Sequence, residues 1–368
     1  MKIFDVLFLA IRKREFDFLV RRHNTDVRLY GAFGSEWDIR HIKHYEPDYT
    51  PEPQGSDQIF FPGSNSFFHL PLRLAKYVQR EQPDILITPS FRFSFQQFIL
   101  NFFLPRNTKL IVQHHTESPY KNRLKLRLQQ KAFARANAFI FTSSVIAAEF
   151  VKAGIIRDAS LVYEMPEGST PLHATDKAAA RQSLKLPETK LLFLWVGRLI
   201  ANKDPLTMLK AFGRFAKNNP RAQLFMFYHE EDLLAEVKHF IEESGLTDNI
   251  HLQGRATQEE LESWYNACDF FISASHYEST GFAFLEALAC GCVPIASNIP
   301  SFQKLSNNGD CAILFEPGNA DDLYEKLRRL DALDYDALRQ RAITHFEKEL
   351  SFPALSRKFM EIISGIHE

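Results

Sequence analysis

The chain has 368 residues, 45% of them hydrophobic and 24% charged, with a net charge of −1. At about 150 residues per domain, this length suits two domains, each able to bury its own core. The near-neutral balance argues against a wholesale nucleic-acid binder, and 15 Gly with 18 Pro excludes a linker-rich or collagen-like chain. The N-terminus, MKIFDVLFLAIRKR, has the look of a secretory leader, but Asp5 interrupts it and no small-residue cleavage site follows. A buried opening strand over 3–9 is the expectation, and no run is long and apolar enough to predict a transmembrane helix. Residues 45–66 are rich in Pro, Gly, Ser and Asp and predict a surface loop. Further buried strands are predicted at 84–88, 109–113, 138–142 and 161–165. Phe91, Phe95, Phe98 and Phe102 predict a helix stripe facing the core. The basic stretch 121–135 predicts a solvated helix, with contact to an anionic membrane surface as the alternative.

The polar, Pro-punctuated stretch 166–190 marks the domain boundary. Beyond it, strands are predicted at 191–196, 223–227, 250–253, 269–273, 293–296 and 311–315, with helices between them. Asp204 suits an N-cap and Pro205 the first helical position, followed by Met208, Phe212 and Phe215 on one face. Leu355, Phe359, Ile362, Ile363 and Ile366 share one helical face at the end of the chain. Cys268, Cys290, Cys292 and Cys311 have no CxxC partner and read as small buried residues. This strand–helix alternation implies two doubly wound parallel sheets, with ligands beyond the carboxyl ends of the strands and by default in the cleft between domains.

Neither a dinucleotide fingerprint nor a P-loop is present, so nicotinamide cofactors and P-loop hydrolysis lose support. Gly197 ends a predicted strand and is followed by Arg198 and Lys203, an Arg fork and a Lys point charge that suit a diphosphate. Two ordinary surface cations are the plainer reading. A second strand–turn–helix junction carries Glu278, then Ser279 or Thr280 as a helix cap, Gly281, and Glu286 in an otherwise apolar helix. Free amides at that helix start would suit an anion. Glu286 there is costly without a polar partner such as a ribose diol. In the first half, His114 and His115 follow the strand at 109–113, and only one should face the ligand. A structural histidine is the alternative.

The segments GRLIANKDP and HYESTGFAFLEALACGCVPIAS resemble the retaining glycosyltransferases of family 4, clearly over 185–330 and loosely over the whole chain. The resemblance rests on Gly197, Arg198, Lys203, Glu278, Glu286, Gly291 and Pro294. It implies a GT-B fold: two doubly wound, Rossmann-like domains facing across a cleft, the first over 1–170 joined by a helix at 350–368, the second over 171–349. It implies transfer of a sugar from a nucleoside-diphosphate sugar to a hydroxyl acceptor, a glycan or lipid-linked saccharide, with anomeric retention and without a metal or other cofactor. Arg198, Lys203, Glu278 and His115 would be catalytic, with His114 the fallback for His115. Gly197, Ser279, Thr280, Gly281, Phe282, Glu286, Gly254 and Arg255 would bind the donor. A cytoplasmic enzyme of cell-surface polysaccharide assembly is implied, without nucleic-acid partners and with peripheral membrane contact. Two features depart from the family. Glu167-Gly168 replaces Asn-Gly, and no glycine-rich loop follows the first strand. The latter motivates an alternative: a non-catalytic scaffold that binds nucleotide sugars.

Overall fold

The computed structural model describes residues 1–11, 29–30, 33, 37–46 and 57–367. The chain divides into two compact units, Met1–Ser169 with Phe352–Glu368, and Thr170–Ser351. In the first, seven parallel strands form one sheet: β1 (Lys2–Ile11), β2 (Asp38–Tyr45), β3 (Gln58–Pro62), β4 (Ile85–Thr88), β5 (Lys109–Gln113), β6 (Ala138–Phe141) and β7 (Val162–Glu164). Their order is β3-β2-β1-β4-β5-β6-β7, so the winding reverses between β1 and β4. β1 shows how both faces are filled. Phe4, Val6 and Phe8 join the cluster on one face, while Ile3 joins the other. Asp5 stays in the strand because His41 Nδ1 lies 3.5 Å from its carboxylate.

Three expectations change here. β2 carries no apolar run, yet it buries His41, Lys43 and His44, so its strand character is set by the sheet around it. β3 lies inside the stretch predicted to be loop; all five of its residues are half-buried. Residues 47–56 of that stretch, and residues 12–28 of the glycine-free opening segment, lie outside the described residues. The Phe stripe is not a buried helix face. The helix Ser94–Leu100 buries Ser94, Gln96, Gln97 and Leu100, while Phe91 precedes it and Phe102 is 72% exposed. Gln96 Nε2 donates to the carbonyls of Ser66, Phe67 and His69, and Gln97 Oε1 accepts from Thr88 Oγ1 at 2.7 Å. The amides take the inner face because Gln96 gathers three loop carbonyls and Gln97 bonds the side chains of Thr88 and Asn101.

The basic helix Arg123–Phe133 is capped by Asn122 and buries Gln129, Ala132 and Phe133, leaving Leu124 exposed. Among the described residues no helix is long and apolar enough to cross a membrane. The closing helix, Phe352–His367, lays Leu355, Phe359, Ile362, Ile363 and Ile366 against Ile3, Ile85 and Ile111 of the first sheet. Ser356 Oγ donates to the Leu29 carbonyl.

The second unit holds a six-stranded parallel sheet: β8 (Leu191–Gly197), β9 (Ala222–Tyr228), β10 (Ile250–Gly254), β11 (Phe270–Ser273), β12 (Val293–Ser297) and β13 (Ile313–Phe315). The order is β10-β9-β8-β11-β12-β13, reversing between β8 and β11. β8 is apolar throughout because it is covered twice: Phe193 and Trp195 face one cluster, Leu192 and Leu194 the other. The boundary stretch after residue 176 is not a free linker. The helix Lys177–Ser183 docks on this unit through Lys177 and Arg181, which share the two carboxylate oxygens of Asp269. All four cysteines are free and buried, and burial pushes their thiols above the ordinary range.

Phe359 is 2% exposed and packs on Tyr30 at 5.9 Å and Phe33 at 6.1 Å. Phe359→Ala should therefore cost the first unit about 3–5 kcal/mol, read as an earlier urea transition. An unchanged transition would contradict this packing.

Candidate functional site

In an open parallel sheet, the strands on either side of the reversal send their following loops in opposite directions, which leaves a crevice at their carboxyl ends. In the second unit those loops follow β8 and β11, and they carry most of the residues singled out by the sequence. Gly197 closes β8, where an added Cβ would stand 3.2 Å from the Trp195 ring. Arg198 follows, 43% exposed, with Nη1 3.6 Å from Glu230 Oε1. A single 3-10 turn, Ala201–Lys203, then leads to Asp204. Asp204 adopts φ 42°, caps the helix Pro205–Asn218 by accepting from Thr207 N at 3.2 Å, and has Pro205 after it. Capping here was legible; the left-handed backbone was not.

The β11 loop is tied to this turn. Lys203 Nζ pairs with the Glu278 carboxylate, both largely buried. His276 Nε2 lies 3.1 Å from Asp204 Oδ2. His276 N donates to Asn202 O, and Asn202 Nδ2 donates to Tyr277 O, both at 2.9 Å. Arg198, Lys203 and Glu278 thus sit on one cross-linked pair of loops.

The helix Phe282–Cys290 starts differently from expectation. Neither Ser279 nor Thr280 caps it; Gly281 is the N-cap and no side chain bonds the first turn. Gly281 takes φ 83°, and a Cβ there would lie 2.6 Å from Phe302, so backbone geometry sets this start. Ser279 and Thr280 are buried instead, and Ser279 Oγ has no hydrogen-bond partner among the described residues. Phe282 is half-buried on the first turn. Glu286, one turn further, keeps partial exposure. Burial pushes its carboxyl from 4.5 up to about 7, opposed by the fully buried Tyr265 hydroxyl. Among the described residues, that hydroxyl reaches no partner with ordinary hydrogen-bond geometry.

Gly254 ends β10 at φ 72°, and Arg255 Nη2 donates to His229 O at 3.1 Å. His229 follows β9, the strand beside β8. Burial lowers its pKa, Glu230 raises it, and Arg255, Arg198 and Lys203 lower it further. One imidazole therefore feels three cations supplied by two loops, Arg198 and Lys203 after β8 and Arg255 after β10. His229 has no motif of its own; its sole sequence signal is its place directly after a buried strand.

In the first unit the two histidines separate clearly. His114 is 2% exposed, stacks on Phe141 at 4.7 Å, and places Nε2 2.8 Å from Glu117 O. Burial lowers its pKa, and it is a core residue. His115 is partly exposed, and its Nδ1 pairs with the Glu167 carboxylate. Its backbone N donates to Glu117 Oε2 at 3.1 Å, and Gln113 Nε2 donates to Glu167 O at 3.2 Å. Glu167, singled out in the sequence only for replacing the Asn of an Asn-Gly pair, is thus the partner that orients His115.

The Glu286 shift carries a stability signature. Between about 4.5 and 7 the folded state holds a proton that the unfolded chain has lost, so stability falls as pH rises through that window. Glu286→Gln should flatten this fall, by up to about 3 kcal/mol across the window in urea titrations. Parallel pH profiles for the two proteins would contradict the assignment.

Comparison with known proteins places this geometry. The family model for glycosyl transferases group 1 matches residues 176–347. D-inositol 3-phosphate glycosyltransferase of Thermobispora bispora is 29% identical over 209 residues, 52% of this chain and 48% of that protein. GDP-mannose:cellobiosyl-diphosphopolyprenol alpha-mannosyltransferase of Xanthomonas oryzae pv. oryzae is 27% identical over 162 residues, 42% of each. The chain spans about half the length of these curated relatives. Among solved structures, sucrose-phosphate synthase of Thermosynechococcus elongatus aligns with TM-score 0.74 at 18% identity, over 100% of this chain and 99% of that one. HepE of Anabaena, solved with UDP, aligns with TM-score 0.75 at 16% identity, over 99% of both chains. The fold of the chain is GT-B, with two parallel-sheet Rossmann-like domains, and the residues that resemble glycosyl transferases group 1, 176–347, carry every donor-side candidate above.

Proposed function

We propose that the protein is a glycosyltransferase that moves a sugar from a nucleoside-diphosphate sugar to a hydroxyl acceptor, a glycan or lipid-linked saccharide, with retention at the anomeric carbon. The observation that carries this reading is the convergence of Arg198, Lys203 and Arg255 at the carboxyl edge of one parallel sheet, with Arg198 and Lys203 on the loop at its reversal point. Three cations around an exposed histidine suit an anion with more than one charge. The relatives' names support donor and acceptor classes: GDP-mannose and a diphosphopolyprenol-linked acceptor in one, an inositol phosphate in another. HepE, solved with UDP and with UDP-glucose, supports a uridine donor as a further candidate.

In the proposed reaction the bond between the anomeric carbon and the diphosphate oxygen breaks and charge develops on that oxygen. Arg198 and Lys203 stabilise this charge, which leaves no neutralising role that a metal must fill. The acceptor oxygen bonds to the anomeric carbon, and its proton passes to the departing phosphate oxygen. Glu278, held by Lys203, positions the sugar; Glu286 receives the ribose hydroxyls; Ser279 Oγ, buried without a partner among the described residues, supplies a further polar contact. Gly254 and Arg255 add contacts to the donor. His115, oriented by Glu167, is the proposed catalytic residue of the first unit.

A panel of UDP-, GDP- and ADP-sugars, assayed for release of nucleoside diphosphate, tests the reading. At least one donor should turn over, and Arg198→Ala and Lys203→Ala should each lose about 10²-fold in kcat while the protein stays folded. Binding of a donor without release would favour a non-catalytic binder. Unchanged kinetics in both variants would remove these two residues from the mechanism. His115→Gln, which keeps a hydrogen-bonding side chain but cannot form the ion pair with Glu167, should lower kcat about 10-fold or more while leaving nucleoside-diphosphate affinity unchanged. Equal kcat would exclude it.

A further inference from the structure

Apart from the donor-side loops, the first unit contains a cavity of about 380 Å³ at the carboxyl ends of β2 and β3. That volume lies in the range of small-molecule sites, roughly 300–1,000 Å³. His44, Phe61, Gly63, His69, Leu70 and Arg73 contribute to its wall. Two buried imidazole nitrogens on this wall, His44 Nε2 and His69 Nε2, have no hydrogen-bond partner among the described residues. An unpaired buried polar atom costs about 1–3 kcal/mol, so two in one cavity point to an occupant that satisfies them.

The chemistry of that occupant follows from His44. The side chain is 1% exposed and its Nδ1 lies 3.0 Å from Leu7 O. A carbonyl only accepts, so the ring proton is assigned to Nδ1. Burial holds the pKa down to about 4, so the ring is neutral near pH 7. Nε2 therefore presents a lone pair, and it needs a donor. Burial lowers the His69 pKa as well, so the cavity does not gain a second cation there.

The position of this acceptor is built into the fold. The His44 ring stacks on Phe8 at 5.8 Å, and the His69 ring stands edge-on to it at 6.0 Å. β1 breaks register between Leu7 and Ala10 where it runs beside β2, and Asn65 clamps both the N and O of Ala10 at 2.9 Å. Gly63 passes directly over His44: a Cβ there would lie 2.8 Å from His44 Cβ. Gln96 holds the His69 carbonyl from below, at 3.3 Å. Phe61 and Leu70 add apolar wall, which suits the C–H face of a sugar ring. Arg73 is exposed, and among the described residues that line the cavity it is the one charged side chain.

From this arrangement we infer that the cavity binds a neutral, hydroxyl-rich ligand, a sugar or similar polyol, with a ligand hydroxyl donating to His44 Nε2. A phosphate offers mainly acceptor oxygens, which would face the same lone pair. Calling the bound polyol the acceptor rests on the transferase reading; the binding itself does not.

The test uses the full chain, histidine-selective ¹⁵N NMR, and four probes: the methyl glycosides of glucose, mannose and galactose, and inorganic phosphate. At least one glycoside should move the His44 Nε2 resonance, and phosphate should not. His44→Phe keeps a ring against Phe8 but removes the acceptor, and should weaken glycoside binding about tenfold or more. Should that variant fail to fold, His69→Phe, on the less buried ring, should weaken it measurably. The inference is overturned if no glycoside moves the resonance, if phosphate alone moves it, or if a folded His44→Phe protein binds as tightly as the parent. No donor and no turnover enter the measurement, so its failure is distinct from failure of the transferase reading.

Discussion

The site in the second unit depends on one interaction, the ion pair between Lys203 and Glu278. The two residues come from loops that leave β8 and β11 at the reversal of the sheet, 75 residues apart in sequence. Such loops would otherwise be free to separate. Their pairing is reinforced by His276 on Asp204 and by the two Asn202 hydrogen bonds, so the turn that carries Arg198 is fixed relative to the turn that carries Ser279 and Gly281. Removing one partner of such a largely buried pair leaves a charge without compensation, which is costlier than never having had the pair. A negatively charged ligand would meet Lys203 already positioned, and the ordering cost would already be met by the fold.

The second sheet was legible in the sequence because each of its central strands is covered on both faces. Such strands read as unbroken apolar runs, and LLFLWVG and QLFMF stand out in any reading. β2 and β3 were not legible for the converse reason. β2 buries histidines and a lysine, and β3 is a half-buried edge within a polar stretch. Local pattern cannot reveal a strand whose polar side chains are buried by the sheet it joins. The same limit explains Gln96 and Gln97, which displaced the phenylalanines from the inner helix face by bonding buried groups.

The candidate site divides along similar lines. Arg198, Lys203, Glu278 and Glu286 were visible because charged residues at strand ends or in apolar helices are conspicuous. The start of the Phe282–Cys290 helix was misread because Ser279 and Thr280 look like caps, whereas the left-handed Gly281 sets the turn. His229 was invisible because its significance lies wholly in the cations that the fold gathers around it. The paired histidines needed the structure to separate them. His114 packs among Phe91, Phe141 and Phe150, and His115 meets Glu167 across the sheet edge. The chain holds 34 phenylalanines, and in the first unit Phe91 alone packs against four other phenylalanine rings.

The account's central claim is that the cross-linked loops after β8 and β11 form the diphosphate site. A crystal structure with a bound nucleoside diphosphate tests this most directly. The account predicts both phosphates within hydrogen-bonding distance of Arg198, Lys203 and the amides at the start of the Phe282–Cys290 helix, with the ribose on Glu286. Phosphates bound away from these groups, with the Lys203–Glu278 pair untouched, would contradict it.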